Sequence, residues 1–272
     1  MLFSLFNRAS GKTRVLMILA LIVGFLLFRG PMLQILGLSS GTQSARTEQS
    51  GTAPNDDMKA YLGTMIADNE DIWPKILAEH NIRYRPAKMV IYSDRTRMPS
   101  GYADAKMGPF YLPTNETIYI DPTFFNELKH KFGAKGDFAE AYVIAHEYGH
   151  HIQNSLGRLK ELHSKHGRVS KVEYNQHSVR VELQADFLAG LFAHHASRTF
   201  SEFLENGDIE EAMRCAEAIG DDRLQQQSQG RVIKDSFTHG TSKQRAYWFN
   251  KGYQTGDLAA GEELFSLPYN RL

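Results

Sequence analysis

The sequence is poor in cysteine, since Cys215 is the single one among 272 residues. One cysteine cannot form an intramolecular disulfide, and it excludes a zinc site built from several thiolates. A bound metal would therefore be held by histidine, aspartate or glutamate. The sequence also lacks an excess of either charge, with 31 basic and 31 acidic side chains. This balance argues against binding to nucleic acid through bulk electrostatics, and we expect no nucleic-acid partner.

Long apolar runs are scarce as well. Apolar residues make up 42% of the chain and charged residues 23%, which excludes a disordered chain and a multi-span membrane protein. The length suits one sizeable domain or two small ones. The unusual feature of the composition is its eleven histidines.

One apolar run stands near the N-terminus, at Val15–Phe28, and a second one follows at Met32–Leu38. The first run alone is shorter than the roughly 20 residues that span a bilayer, but the two together are long enough if Arg29 extends towards the head groups. Cations precede the first run (Arg8, Lys12 and Arg14), so the N-terminal end is predicted to stay cytoplasmic. Residues 1–38 are thus predicted to be a transmembrane signal anchor. A cleaved signal peptide and a buried core helix are the alternatives.

The segment Ser39–Asp57 is rich in Ser, Thr, Gly and Gln and has little to bury. Such a composition cannot offset the loss of chain entropy by packing, so residues 39–57 are predicted to be a flexible linker. The folded domain is predicted to cover residues 58–272.

Local patterns along this domain predict an α+β fold, helix-rich with a small mixed sheet. Short β-type runs lie at Lys88–Tyr92 and Thr117–Ile120, with a loop expected at Met98–Pro113 between them. Lys160–Arg168 is charged and its structure is left open. Helices are expected after Asn55–Asp57 as far as Ile66, at Asp71–His80, Phe124–Phe132 (stopped by Gly133), Phe138–Leu156 (capped by Asp137), Ser170 or Ser178 to Ser197, Asp208–Ile219 and Ser242–Gly252.

The most informative motif is His146-Glu147-Tyr148-Gly149-His150, inside a predicted helix. A spacing of four residues puts both imidazoles on one helix face, where they can share a Zn²⁺ ion, and Glu147 can act as general base on a water. The alternative is a helix with two surface histidines and an exposed glutamate. The flanking residues Tyr142–Ala145 and Ile152 are apolar and indicate a buried helix. Buried His and Glu side chains would be costly without a partner.

A third ligand is expected from the segment Val181–Asp186 on a second helix. Glu182 and Asp186 are four residues apart and share a face, so one can bind zinc while the other accepts a hydrogen bond from a ligand histidine. We favour Glu182 as the ligand. Competing candidates are His177, His194 and His195, and two solvated acids on an amphipathic helix are the plain alternative. His151 points about 100° away from His150 and is expected to be structural.

A second polar segment, Phe237–Arg245, lies late in the chain. A hydrolase that attacks a carbonyl group needs donors for the developing oxyanion, and His239 and Arg245 are suitable side chains. The alternative is a helix N-cap at Thr241 or Ser242 with two incidental cations.

The segments HEYGHHIQN, ELQAD and DSFTHGTSKQR occur in this order, with GPFYLP and IGDDRLQQQSQG around them. Together they resemble the neutral zinc metallopeptidase family of bacterial, single-span membrane proteins, over roughly Ser100–Asp257. The resemblance implies a gluzincin-like zincin domain with His146, His150 and Glu182 as zinc ligands and Glu147 as base. It also implies that Asp186 is the acid that supports a ligand histidine. The Thr238–Arg245 stretch is similar to the T-H-P…R stretch of membrane-integral gluzincins, which implies a transition-state role.

The sequence departs from this family at four positions. Members usually carry cysteines where this chain has Ser100, Leu112, Phe187 and Gly261. Their absence removes the expected disulfides but no proposed catalytic group.

The leading hypothesis is a zinc-dependent metallopeptidase anchored in the bacterial inner membrane, with its catalytic domain outside the cytoplasm. It would hydrolyse peptide bonds through a zinc-activated water, with Glu147 as general base and His239 or Arg245 at the oxyanion. A peptide or protein substrate is expected along the edge of the small sheet, near Tyr111 and Tyr119. The alternatives are a non-catalytic, zinc-stabilised envelope scaffold and a zinc hydrolase of non-peptide amides.

Overall fold

The computed structural model describes residues 56–99, 101–104, 107–131, 136 and 138–272. The predicted anchor, nearly all of the predicted linker, and the predicted helix signals at Gly133 and Asp137 lie outside these residues. Within the described ranges, no helix is both long and apolar enough to cross a bilayer.

The first helix, α1 (Asp56–Glu79), is continuous, although the sequence suggested two separate helical segments. Its buried side contains Asn69, whose Nδ2 donates to the Met65 carbonyl at 2.7 Å and whose Oδ1 accepts from Trp73 Nε1 at 3.0 Å. The Asn69–Trp73 pair keeps the buried face of the helix continuous through the polar stretch where a break was expected. Pro74 is accommodated within the same helix.

The strands are β1 (Lys88–Ile91), β2 (Arg95–Met98), β3 (Gly101–Asp104), β4 (Phe110–Leu112) and β5 (Thr117–Ile120). β5 is the central strand of a mixed sheet, with β1 parallel to it on one side and β4 antiparallel on the other. β2 and β3 form a separate antiparallel pair. The predicted loop Met98–Pro113 is therefore wrong, because it contains β3 and β4. These strands have only three or four residues, and their pairing partners stabilise them more than their own sequence does.

The remaining helices within the described residues complete the α+β fold that the sequence predicted. The segment left open in the sequence forms α4, and the polar helix α7 was not predicted, since only Asp221 in it is buried. Their bounds are α2 (Thr123–Lys131), α3 (Phe138–Ser155), α4 (Arg158–Lys165), α5 (Lys171–Thr199), α6 (Asp208–Ala218), α7 (Asp221–Gln229), α8 (Ser242–Thr255) and α9 (Glu263–Ser266), with short 3₁₀ turns at Lys234–Ser236, Leu258–Glu262 and Tyr269–Arg271.

Two helix starts follow from side-chain capping. The Ser170 side chain accepts a hydrogen bond from the Glu173 amide, so α5 begins there and not at Ser178. Thr241 and Gln244 form a reciprocal capping box at the start of α8. These caps fix the starts of two helices that carry site residues.

Glycines let the three central helices α3, α5 and α8 approach closely. A Cβ atom at Gly252 of α8 would collide with the Phe187 carbonyl of α5, and one at Gly190 of α5 would collide with the Phe249 carbonyl of α8. Inside the His-Glu motif, a Cβ at Gly149 would lie 3.0 Å from the Ala185 carbonyl oxygen. Backbone therefore packs directly on backbone around the helices that carry the motif.

Replacing Gly252 by alanine is expected to lower the free energy of unfolding by roughly 1–3 kcal/mol or more, because the methyl group has no room. The matched control is Gly63→Ala in α1, where no described atom lies within 4 Å of a built Cβ. This change should raise stability by about 0.5–1 kcal/mol through helix propensity. Urea unfolding of both variants measures the difference, and equal shifts would contradict the close packing.

Two of the positions for which the resemblance implies cysteines are in contact here. The Phe187 ring lies against Gly261, whose built Cβ would be 2.7 Å from the ring Cε1 atom. Phe187 is fully buried in the main core, and Leu112 belongs to a smaller apolar cluster on the sheet. Ser100, the fourth position, lies outside the described residues. The contact between the Phe187 ring and Gly261 thus joins α5 to the C-terminal segment.

Candidate metal centre

Helix α3 places His146 and His150 side by side. Their ring centroids are 4.8 Å apart and the rings are nearly perpendicular, at 85°. Both side chains are buried. The four-residue spacing thus brings both imidazoles to one face, as the motif predicted.

Helix α5 adds Glu182 to this pair. Its Oε2 atom lies 3.4 Å from His146 Nε2 and 3.6 Å from His150 Nε2. One ligand atom from each of the three residues lies within 4.8 Å of the other two, close enough to hold a metal ion. The structure therefore brings together the two histidines and the carboxylate favoured from the sequence.

The competing histidines lie elsewhere. His194 Nδ1 is 2.6 Å from the Tyr253 carbonyl oxygen, and His195 Nε2 is 2.9 Å from that of Gly256, so both hold the end of α8. His177 lies on the first turns of α5, 3.9 Å from Glu173. None of the three belongs to the group of ligand atoms around Glu182.

Asp186 supports His146 from behind. Its Oδ1 atom lies 2.8 Å from His146 Nδ1 and accepts a hydrogen bond from the Tyr142 hydroxyl at 2.5 Å. A carboxylate on Nδ1 fixes the ring so that Nε2 faces the cluster. This contact agrees with the position that the resemblance implied for Asp186.

Arg245 does not lie where the sequence hypothesis placed it. Its Nε atom donates to Asp186 Oδ2 at 2.8 Å, and its Nη2 atom donates to Asp186 Oδ1 at 2.9 Å. Nη2 also donates to the Tyr142 hydroxyl, and Nη1 donates to the Ile219 carbonyl. Only 3% of the residue is exposed. Because these donors are used behind His146, Arg245 is not placed to donate to an oxyanion, and that expectation is corrected.

The ionisable side chains of the site stabilise one another's charged forms. Burial alone would raise the pKa of Asp186, but Arg245 and His146 lower it to about 2. Burial lowers the pKa of His146, and the Asp186 carboxylate outweighs this and raises it to about 9. Despite burial, the pKa of Glu182 is well below its usual value because His150 and His239 are near. Glu182 thus carries the negative charge that a divalent cation needs from a ligand.

Glu147 occupies a different environment from the other acids. It is 8% exposed, and its Oε2 atom has no hydrogen-bond partner among the described residues. A buried carboxylate oxygen without a partner is costly, so Glu147, which lies between the two candidate ligands on α3, is a candidate for contact with a ligand or a water.

His239 is held by an acid that sequence reasoning missed. Asp221 Oδ2 accepts the backbone N–H groups of Thr238 and His239 at 2.7 Å each and that of Gly240 at 3.1 Å. Asp221 Oδ1 also lies 3.4 Å from His239 Nδ1. Burial lowers the pKa of His239, but the Glu182 and Asp221 carboxylates raise it above its usual value. The signal was present in the IGDD segment, where Asp221 follows a helix end.

The sheet edge lies beside the motif helix. His151 Nδ1 accepts from the Tyr111 hydroxyl at 3.0 Å, and His151 Nε2 donates to the Arg85 carbonyl at 2.6 Å. His151 thus links α3 to β4 and to the chain before β1. The sequence suggested Tyr111 and Tyr119 as neighbours of a substrate, but Tyr111 is only 1% exposed, and Tyr119 is 3% exposed and stacked on Phe110. β1 and β4 are the two edge strands of the three-stranded sheet, and β4 is the one whose Tyr111 hydroxyl contacts His151 of α3.

The chain matches the family model described as "Putative neutral zinc metallopeptidase" over residues 4–264. The chain belongs to this family. The resemblance found in the motifs is confirmed, and the match extends beyond the Ser100–Asp257 stretch on both sides. The family name implies zinc, and the His-His-Glu group of this family member is compatible with zinc binding.

Relatives of this family member occur in bacteria. It is 42% identical over 257 residues to the uncharacterized protein YpfJ of Escherichia coli (strain K12), covering 93% of this chain and 87% of the relative. It is 41% identical over 196 residues to the uncharacterized protein Rv2575 of Mycobacterium tuberculosis (strain H37Rv), covering 68% of this chain and 64% of the relative. No solved structure matches the chain.

The donor set of this family member fits zinc. Two imidazole nitrogens and one carboxylate oxygen are the protein ligands of many catalytic zinc sites, which leave a fourth position open. Glu147 is not one of these three ligands, and its Oε2 atom has no hydrogen-bond partner among the described residues.

Proposed function

We propose that this chain is a zinc-dependent metallopeptidase with a zincin-like, gluzincin-type domain. His146, His150 and Glu182 hold one Zn²⁺ ion, and Glu147 is the general base. The observation that carries the proposal is a group of three ligand atoms within 4.8 Å of one another, combined with the buried, unpartnered Oε2 atom of Glu147, the residue that follows the ligand His146 on the same helix.

Glu147 moves the proton in this mechanism. When bound, zinc supplies Lewis-acid polarisation and lowers the pKa of water. The Glu147 carboxylate accepts the proton of the attacking water and returns it to the amine nitrogen that leaves. Ionised Glu182 and the neutral imidazoles of His146 and His150 would be the zinc ligands, so His146 would have to lose the second proton that Asp186 favours on it.

His239 stabilises the developing oxyanion. Its Nδ1 atom faces Thr238 Oγ1 at 3.0 Å and Asp221 Oδ1 at 3.4 Å, so Nε2 is the nitrogen left to donate to a substrate oxygen. Arg245 acts at a distance from the substrate: it pairs with Asp186 and thereby keeps His146 in position.

The substrate is a peptide or protein segment in extended conformation that pairs with the backbone of β4. A strand added to a sheet edge gains main-chain hydrogen bonds that do not depend on sequence. Residues 1–38 anchor the chain in the bacterial inner membrane and hold the domain on its outer side. The lipid bilayer is therefore a second partner of the chain.

Zinc removal tests the proposal. We expect the full-length chain, purified in detergent, to contain one zinc ion and to cleave members of a peptide library analysed by mass spectrometry. A chelator should abolish cleavage and added Zn²⁺ should restore it, because Glu147 alone cannot activate water. A chain that binds no zinc, or cleaves equally well with chelator, would refute the peptidase.

A further inference from the structure

The two candidate zinc histidines are supported by different chemistry. Asp186 supports His146, whereas the amide of Gln153, one turn further along α3, supports His150. Gln153 is fully buried, and its Oε1 atom lies 2.8 Å from His150 Nδ1. Its Nε2 atom donates to the Val181 carbonyl at 2.6 Å and to Gln184 Oε1 at 3.1 Å. Every polar atom of this amide is therefore used.

The partners on α5 fix the direction of the amide. The Val181 carbonyl can only accept, so the NH₂ end of Gln153 faces α5 and Oε1 faces His150. An Oε1 acceptor requires the hydrogen of His150 to be on Nδ1. The lone pair of Nε2 then points to the cluster, where Nε2 lies 3.6 Å from Glu182 Oε2. A flipped amide would put its oxygen against the Val181 oxygen.

Val181 directly precedes Glu182, the third candidate ligand. We propose that Gln153 is a positioning residue for two zinc ligands at once: it fixes the tautomer and orientation of His150, and it fixes the α5 backbone that presents Glu182. The inference rests on the proposed zinc site. According to this inference, the neutral side chain of Gln153 sets the distance between α3 and α5 at the proposed zinc site.

The chain of hydrogen bonds that starts at Gln153 continues through Gln184 to the surface, and each amide in it donates outwards. Gln184 Nε2 donates to Glu262 Oε1 at 3.4 Å, and Glu262 pairs with Arg158. The acceptor Glu262 keeps Gln184 Oε1 turned to Gln153. The C-terminal 3₁₀ turn Leu258–Glu262 therefore helps, through Glu262 and Gln184, to hold the Gln153 amide that orients His150.

Two substitutions of Gln153 test this assignment. Gln153→Met keeps the side-chain length and removes both sets of hydrogen bonds, so zinc affinity should fall about 10–100-fold. Gln153→Glu keeps an acceptor for His150 but turns a carboxylate oxygen towards the Val181 carbonyl, so it should also weaken zinc binding. If Gln153 supported His150 alone, the glutamate variant would bind zinc at least as tightly as the wild type.

Zinc affinity is measured on the full-length chain by competition with a chromophoric chelator, and Co²⁺ absorption spectra report the ligand geometry. Gln176→Met, the same change on α5 six residues before Glu182, is the control and should leave both unchanged. Wild-type zinc affinity and an unchanged Co²⁺ spectrum in Gln153→Met would overturn the inference but leave the peptidase intact. Zinc binding by the wild type without any hydrolysis would refute the peptidase and leave Gln153 testable.

A measurement on the wild type covers the case in which the variants do not fold. Long-range ¹H–¹⁵N spectra of the zinc-loaded chain should show His150 bound through Nε2 and protonated on Nδ1. Binding through Nδ1 would overturn the inference, since Gln153 Oε1 would then have no hydrogen to accept.

Discussion

Glu147→Gln is expected to lower kcat for peptide hydrolysis by about 10²–10⁴-fold while zinc stays bound, because a general base contributes about this much. Glutamine has nearly the same shape as glutamate but cannot accept a proton. The unpartnered Oε2 atom would become an amide or carbonyl group in the same buried position. The three candidate ligands are untouched, so the metal content should remain at one ion per chain.

The control for this change is Glu140→Gln, which makes the same substitution two turns earlier on α3. It should leave kcat unchanged. Steady-state kinetics on one cleaved peptide, together with elemental analysis of zinc, separates the two effects. Undiminished cleavage by the Glu147→Gln chain would disprove the proposed mechanism, whatever its zinc content.

His239→Ala is expected to reduce kcat about 10²–10³-fold, which is the usual cost of losing one oxyanion donor. The KM value should change little, since the interaction forms mainly in the transition state. Zinc affinity should be preserved, because His239 is outside the ligand group. A variant that loses zinc along with activity would show that His239 supports Glu182 instead.

The His163→Ala substitution, at an exposed position on α4, is the matched control for His239→Ala and should behave as the wild type.

Arg245→Lys gives a further contrast. It breaks the two-donor contact with Asp186, so it should weaken zinc binding more than it lowers the kcat of the zinc-saturated chain. Opposite patterns for His239 and Arg245 would separate two residues that the sequence placed in one role.

The sequence predicts those parts of the site that depend on a single helix. His146, Glu147 and His150 are related by helical spacing alone, and Glu182 and Asp186 share a face of α5 for the same reason. The direction of Arg245 could not be predicted, because it depends on how α8 packs on α5 through Gly190 and Gly252.

Residues that act across elements were missed for a related reason. Gln153 becomes informative only when Val181 of another helix lies against it, and Asp221 only when the Thr238–Gly240 turn folds over it. In the fold, the short strands β3 and β4 depend on pairing with distant segments. The continuity of α1 depends on Asn69 and Trp73, whose hydrogen bond no periodicity indicates.

The contact between the Phe187 ring and Gly261 has a consequence for how the chain matures. The C-terminal segment is attached to α5 by apolar packing, which needs neither an oxidant nor an isomerase to form. Cys215 is buried, and burial raises the pKa of its thiol to about 12, so it remains unreactive towards thiol exchange. The native state is therefore the same in a reducing and an oxidising compartment, and thiol reductants should leave its refolding unchanged.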